Sequence, residues 1–408
     1  RLSRLMTRLP PALQPLWPAA KLTHRAATRT VGRITRGFGL GGDRAVPRSA
    51  APTSIATAAG EPHDVRLHTG GPAEHLRRDV PHGSPAAMRF WDDVRDHDVP
   101  PRYVLDVDQG RLVGDYAATV TPGGVLDLQT SNYFGIHGWR EHPIYLRGRL
   151  PEPEHLEGSV LSLASHASGR NYYHSLMDTL PRWGVLQEAL PGTRPDHIVI
   201  SHRTQWDRQL ISMAGLDGFP LIEPAKNMSV QAERLLVPCL NNQRTLAPRW
   251  ITQWLRENLP AREVAGRPKR LYVTRGNVPN TRRFVRETEL MAALEPLGFT
   301  RFDPGPASVQ DQIDHFAAAE VVVAPHGAGL VNLNFAPEGV RVLELFAPRY
   351  LNPGYWAIAD NINDSLYRYL VADPVEPDRP ERRMSGVQND IHLSPQAVLA
   401  ALEEMLAE

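Results

Sequence analysis

The chain has 408 residues, 42% of them hydrophobic, and its 45 basic and 45 acidic side chains cancel. That length corresponds to roughly two to three domains, and the neutral total argues against nucleic acid as a partner, because such binders carry a basic excess. The single cysteine, Cys239, rules out an intrachain disulfide framework and a Cys-clustered metal site. No run approaches the ~18 apolar residues of a membrane span, and a reducing, cytoplasmic setting is expected.

Neutrality hides an asymmetry. Residues 1–50 hold nine Arg and Lys21 against Asp43 alone, which leaves 35 basic and 44 acidic residues in 51–408, a net of −9. Residues 1–85 are rich in Pro, Gly, Ala and Arg and poor in periodicity, and are read as a basic, largely irregular extension. Basic segments are drawn to anionic lipid, so residues 1–50 are a candidate for peripheral contact with the inner face of the cell membrane. The chain begins with Arg1 rather than Met, so an upstream start is expected.

Short strands are predicted at 103–107, 111–117 and 124–128, separated by turn signals at 108–110 and 122–124, as a small β-meander. From 160 onward strands and helices alternate, which implies a mostly parallel sheet. Strands are predicted at 160–164, 197–201 and 235–238, with helices from about 171, at 206–214 and at 248–258. After a polar break at 260–268 a second series follows. Its strands are predicted at 271–274, 300–302, 321–324, 340–346 and 366–371, and its helices at 287–297, 309–319, 330–335, 355–361 and 395–406. The division drawn from this is a 1–85 extension, a domain at 86–262, a second α/β domain at 263–375, and a linker and helix at 376–408. Two such halves place a cleft between the carboxyl ends of two sheets, where ligands bind in these folds.

Four constellations carry chemistry. In 321–332, VVVAPHGAGLVN, a buried strand runs into a glycine-containing loop and then a helix. Gly327 and Gly329 allow close backbone approach, and helix-start N–H groups suit a phosphate; His326 can add a hydrogen bond. An ordinary strand-to-helix turn explains the same residues about equally well. Arg275 falls at a strand's carboxyl end, with Arg282 and Arg283 nearby, in an otherwise acidic body. The guanidinium fork matches phosphate oxygens, whereas surface ion pairing accounts better for Arg286. In 171–182, NYYHSLMDTLPR, helical spacing puts Asn171, His174 and Asp178 on one face, with Pro181 expected to kink or end the helix. Asp178 can orient His174 as a general base, although an isolated His–Asp pair is more simply a surface ion pair. Glu344 interrupts an apolar strand and needs a partner, either a sugar hydroxyl pair or a structural Arg. Asp106-Val-Asp108 matches the short acidic motif of metal-using sugar transferases, but it precedes a turn, far from any βα crossover. No His-Glu-x-x-His or clustered Cys/His spacing occurs, and neither a metal nor a cofactor is expected.

Taken together, Asn-Tyr-Tyr-His…Asp…Pro-Arg at 171–182, Tyr-Val-Thr-Arg at 272–275, and His-Gly-Ala-Gly-Leu-Val-Asn with Glu-Leu at 326–345 resemble glycosyltransferase family 61, a group of capsular polysaccharide clusters and eukaryotic protein glycosylation. The resemblance covers about 100–372. Ser175 stands where many members have an aromatic residue, and Arg286 where many have Asn. The resemblance implies a GT-B-like fold of two Rossmann-like α/β domains facing a cleft, and metal-independent sugar transfer from a nucleotide donor with inversion. It further implies that Arg275, Arg282, the loop His326, Gly327, Ala328 and Gly329, and Asn332 bind the donor, with Glu344 near its ribose. His174 and Asp178 would be catalytic, and Asn171, Tyr173 and Arg182 would lie on the acceptor side. The expected partners are a nucleoside diphosphate sugar and a glycan or lipid-linked acceptor. The competing functions are a GT-B-like epimerase, which needs no acceptor, and a silent module that binds nucleotide sugars or glycan.

Overall fold

The computed structural model describes residues 42–408 apart from 134, 135, 137, 168, 277–281, 374–386 and 388, together with residues 23, 26, 27 and 30. The first half opens with β1 (Ser49–Ala51), α1 (Ser54–Gly60), β2 (Val65–Thr69), β3 (Glu74–Arg77), β4 (His82–Gly83), α2 (Met88–Val94) and β5 (Asp96–Val99). It continues through β6 (Tyr103–Asp108), β7 (Arg111–Val113), β8 (Ala118–Val120) and β9 (Val125–Asp127). An alternating series follows: β10 (Glu154–Ser162), α3 (Tyr172–His174), α4 (Pro181–Ala189), β11 (His197–Val199), α5 (Gln205–Met213), β12 (Leu221–Ile222), β13 (Ser229–Pro238) and α6 (Arg249–Asn258). The second half comprises β14 (Arg270–Val273), α7 (Glu287–Leu294), β15 (Phe299–Phe302), α8 (Val309–Ala318), β16 (Val321–Pro325), a 3₁₀ helix at Ala328–Phe335, β17 (Arg341–Phe346), α9 (Gly354–Asp360), β18 (Leu366–Val371) and α10 (Pro395–Ala407).

Among the described residues the strands form a ten-stranded sheet, a six-stranded sheet and the β3–β5 ribbon. In the larger sheet, β13, β10, β11 and β12 lie side by side and parallel. Strands β6 and β7 both join β13 antiparallel, so the predicted meander is an extension of this sheet and not a separate unit. The six-stranded sheet runs β15–β14–β16–β17–β18–β4, all parallel. Strand β16 is buried along its whole length, as an apolar strand covered on both faces must be. Ser394 caps α10, whose Val398, Leu402 and Met405 bury one stripe against that sheet.

Side chains following the carboxyl ends of one sheet meet those following the carboxyl ends of the other. The Tyr172 hydroxyl donates to Asn332 Oδ1 at 3.1 Å, and the rings of Tyr173 and Tyr355 lie 5.8 Å apart. This is the GT-B-like α/β arrangement expected, with two strand-end edges turned toward a common cleft.

Two expectations are corrected. The stretch 42–85, read as irregular, contributes strands to all three sheets and one helix. These strands are two to five residues long and pair with distant partners, β2 with β6 and β4 with β18, so no local periodicity announces them. Residues 1–22, and with them most of the proposed membrane-contacting tail, lie outside the described residues. The division at 86 also fails, because α2 serves the second half. Its Trp91 is fully buried, with ring centroids 5.0 Å from Tyr369, 5.3 Å from Trp356 and 6.1 Å from Tyr367. Trp91→Ala is therefore expected to cost ~3–5 kcal/mol through the cavity it leaves, read as a lower midpoint in urea unfolding.

Candidate functional site

Where neighbouring parallel strands send their connections in opposite directions, a crevice opens at their carboxyl ends. The six-stranded sheet has one between β14 and β16, since β14 leads to β15 on one side and β16 leads to β17 on the other. The larger sheet has one between β10 and β13. The side chains singled out from the sequence cluster at these two points.

At the first crevice, Arg275 follows β14 and packs on Gly327, which follows β16. A Cβ at residue 327 would lie 2.2 Å from Arg275 Nη1 and 2.9 Å from its Cδ. Gly327 has extended backbone, so space and not torsion requires glycine there. Burial, followed by the neighbouring Arg282, pushes the Arg275 pKa down to about 10, so the side chain stays charged at neutral pH. The Arg282 guanidinium stands 5.2 Å from the centre of the Tyr350 ring. Ala328 and Gly329 are partly exposed at the mouth.

His326 is buried and its Nδ1 lies 2.5 Å from Glu344 Oε1. Tyr367 donates its hydroxyl to Glu344 Oε2. With a carboxylate on Nδ1, the neutral ring presents its Nε2 lone pair, which faces the Tyr350 hydroxyl at 3.5 Å. Burial holds the His326 pKa down against the pull of Glu344, so the neutral ring has no N–H left for a phosphate. Glu344 is 0% exposed and both its oxygens are engaged. The expectation that it meets a ribose is corrected: its partners are an imidazole and a phenol, and its work is to orient His326. Asn332 is likewise corrected from ligand binder to internal tie. It is fully buried, donates to Gln312 Oε1 and Gly329 O, and accepts from Tyr172.

At the second crevice, Asn171 caps the helix after β10 by accepting from Tyr173 N at 3.0 Å. Pro181 cannot donate to the carbonyl four residues back. The helix absorbs this as a π-turn at Ser175–Thr179, in which Leu180 N reaches Ser175 O, and then continues as α4. His174 Nδ1 lies 2.6 Å from Asp178 Oδ2, and each side chain is 12% exposed. Asn242, just past β13, donates to Asp178 Oδ1 at 2.7 Å and to the Tyr173 hydroxyl at 3.2 Å. Arg182 is corrected: it is buried and donates to Pro238 O and Ala164 O, where it ties β13 to the loop after β10 and does not face an acceptor.

The two crevices form one site. Ring-to-ring steps of 5.3 Å from His174 to Tyr173, 5.8 Å to Tyr355 and 5.0 Å to His326 join them. Asn242, Tyr350 and Tyr355 escaped sequence reasoning. The pair Asn241-Asn242 directly after an apolar strand was a usable signal, whereas Tyr350 and Tyr355 follow β17 with no local mark. The acidic motif is neutralised from within the fold, because Asp106 is gripped by Arg234, His68 and Arg66, and Asp108 by Arg66. Burial raises the Cys239 thiol to about 11, so it is inert.

Residues 172–343 match the family model Glycosyltransferase 61. The match supports glycosyltransferase family 61 over those residues, and the chain is a glycosyltransferase. No curated protein matches it. Among solved structures, E. coli heptosyltransferase WaaC with ADP is 12% identical, with 61% of this chain and 100% of that chain covered, at a TM-score of 0.30. The bacterial iron-containing dodecameric glycosyltransferase TibC from enterotoxigenic E. coli H10407 is also 12% identical, over 88% of this chain and 99% of that one, at a TM-score of 0.30. At such scores the overlap is loose, and no residue of this chain takes a role from it. Among the described residues no helix is long and apolar enough to cross a membrane.

The chain also stores a pH dependence beside the site. Burial pushes His142 and His166 down to about 4. The unfolded chain therefore binds more protons than the folded one between pH ~6.5 and ~4, and stability falls as pH drops through that window. Urea unfolding followed from pH 7 to pH 4 should show a falling midpoint, with a shallower fall in His142→Gln/His166→Gln.

Proposed function

We propose that this family 61 enzyme is an inverting glycosyltransferase that uses a nucleoside diphosphate sugar. The observation that carries the reading is the Arg275–Gly327 contact at the β14–β16 crevice, with Arg282 beside it. Two neighbouring half-buried cations are stabilised by an anion, and a diphosphate would use both. The Ala328 and Gly329 amides at the mouth would add backbone donors. This positive charge would balance the leaving diphosphate in the role a metal ion often fills.

The acceptor hydroxyl attacks the anomeric carbon as the diphosphate departs from the opposite face, which inverts that centre. The C–O bond to the acceptor forms, the C–O bond to the diphosphate breaks, and the acceptor proton passes to His174. Asp178 holds Nδ1, so Nε2 is the atom that takes the proton, while Asn242 keeps Asp178 in place. Asn171 and Tyr173 shape the acceptor side. The acceptor is a glycan or a lipid-linked glycan of cell-surface or capsular polysaccharide. The enzyme works in the cytoplasm, with residues 1–50 bringing it to the inner face of the membrane.

His174→Ala and Asp178→Ala should each lower turnover by ~10²–10⁴-fold while donor affinity holds. Wild-type turnover in both variants would remove the pair from the mechanism. Gly327→Ala should drive Arg275 from its position and weaken binding of nucleoside diphosphates by about tenfold or more, seen as a smaller ligand-induced rise in Tm. An unchanged rise would separate Arg275 from the donor.

A further inference from the structure

In chain order the six-stranded sheet reads second, first, third, fourth, fifth across β15, β14, β16, β17 and β18. In doubly wound sheets a phosphate group sits at the turn after the first strand, and an acid at the end of the second strand takes the ribose. Asp303 is the residue directly after β15. Its Oδ1 accepts from Gly305 N at 2.9 Å, which fixes the carboxylate's direction. Its Oδ2 lies across from the neighbouring turn, such that a Cβ on Gly276 would be 2.7 Å away. Gly276 has φ +52° and follows Arg275, so the carboxylate stands beside the turn that carries the proposed phosphate-binding cation.

The other acids near these strand ends are spoken for. Glu344 is closed off by His326 and Tyr367. Glu287 accepts from Thr274, Tyr272 and Arg301. Asp303 is half-buried. A carboxylate repels phosphate, so one placed a strand away from Arg275 suits the uncharged part of the same ligand. Its oxygens are acceptors only and match a pair of hydroxyl donors.

We propose that Asp303 binds the 2′,3′-diol of the donor's ribose, so that the donor is a ribonucleoside diphosphate sugar and not a deoxythymidine diphosphate sugar. This rests on the donor site proposed above. With a diphosphate at Arg275 and Gly327, the nucleoside runs over the carboxyl end of β14 toward β15.

The test measures binding of UDP, GDP, ADP, CDP, their 2′-deoxy counterparts and dTDP to the full chain, by calorimetry or thermal shift. At least one ribonucleotide should bind, with its 2′-deoxy form weaker by about tenfold or more, as for loss of a hydrogen bond to a charged acceptor. Asp303→Asn keeps an oxygen for Gly305 N. It should bring the ribonucleotide down to the deoxy affinity and leave the deoxy affinity unchanged. Equal binding of both forms, preference for dTDP, or an equal loss for both in Asp303→Asn overturns the assignment and leaves the donor site standing. If no nucleotide binds the wild-type chain, the donor-site reading itself falls.

Discussion

A carboxylate inside an apolar parallel strand must find its hydrogen bonds within the protein, and the crevice of the six-stranded sheet is arranged around that requirement. Glu344 in β17 is satisfied by His326 and Tyr367. The His326 ring then stacks on Phe346 at 5.2 Å and turns Nε2 toward Tyr350. A fixed His326 fixes the loop that follows it. Gly327 is thereby held where Arg275 can lie against its Cα, and Tyr350 is held where Arg282 can cover its ring. One buried ionisable group thus aims two cations it does not touch.

The crevice of the larger sheet obeys the same logic with different chemistry. There the constraint is the missing N–H of Pro181, which opens the helix into a π-turn just after His174. Such turns recur at functional sites. Within that turn Asp178 lies between His174 and Asn242, so its two oxygens serve different partners. Arg182, one residue past the proline, anchors the helix to two strand-end carbonyls from the inside. Tyr173 and Tyr355 then join the two halves by ring contact, and a polar bond from Tyr172 to Asn332 pins the join.

Much of this was legible in the residues. The alternation of strands and helices from 160 onward is a local property, because each element carries its own apolar period and stop signals. His174 with Asp178, and Arg275 with the 326–329 loop, were also legible, since helical spacing and glycine-bearing strand ends are short-range features. Segment 42–85 was not, because its strands are too short to show a period, and β1, β2 and β4 exist only through pairing with β9, β6 and β18. Strand β13 is similar. Only 235–238 looked like strand, whereas 229–234 is polar and is held by its ladder with β7 and β10.

The sequence by itself determined the alternating α/β series, the position of the glycine loop and the presence of a His–Asp pair, because spacing along one element sets which side chains share a face. Only the tertiary structure decided which polar residues face the opening. Glu344, Asn332 and Arg182 turn inward, and Asp303 and Asn242 stand at the strand ends. Spacing cannot report this, because whether a polar side chain meets ligand or protein depends on which distant groups satisfy its hydrogen bonds, and those groups are brought together only when the sheets pack.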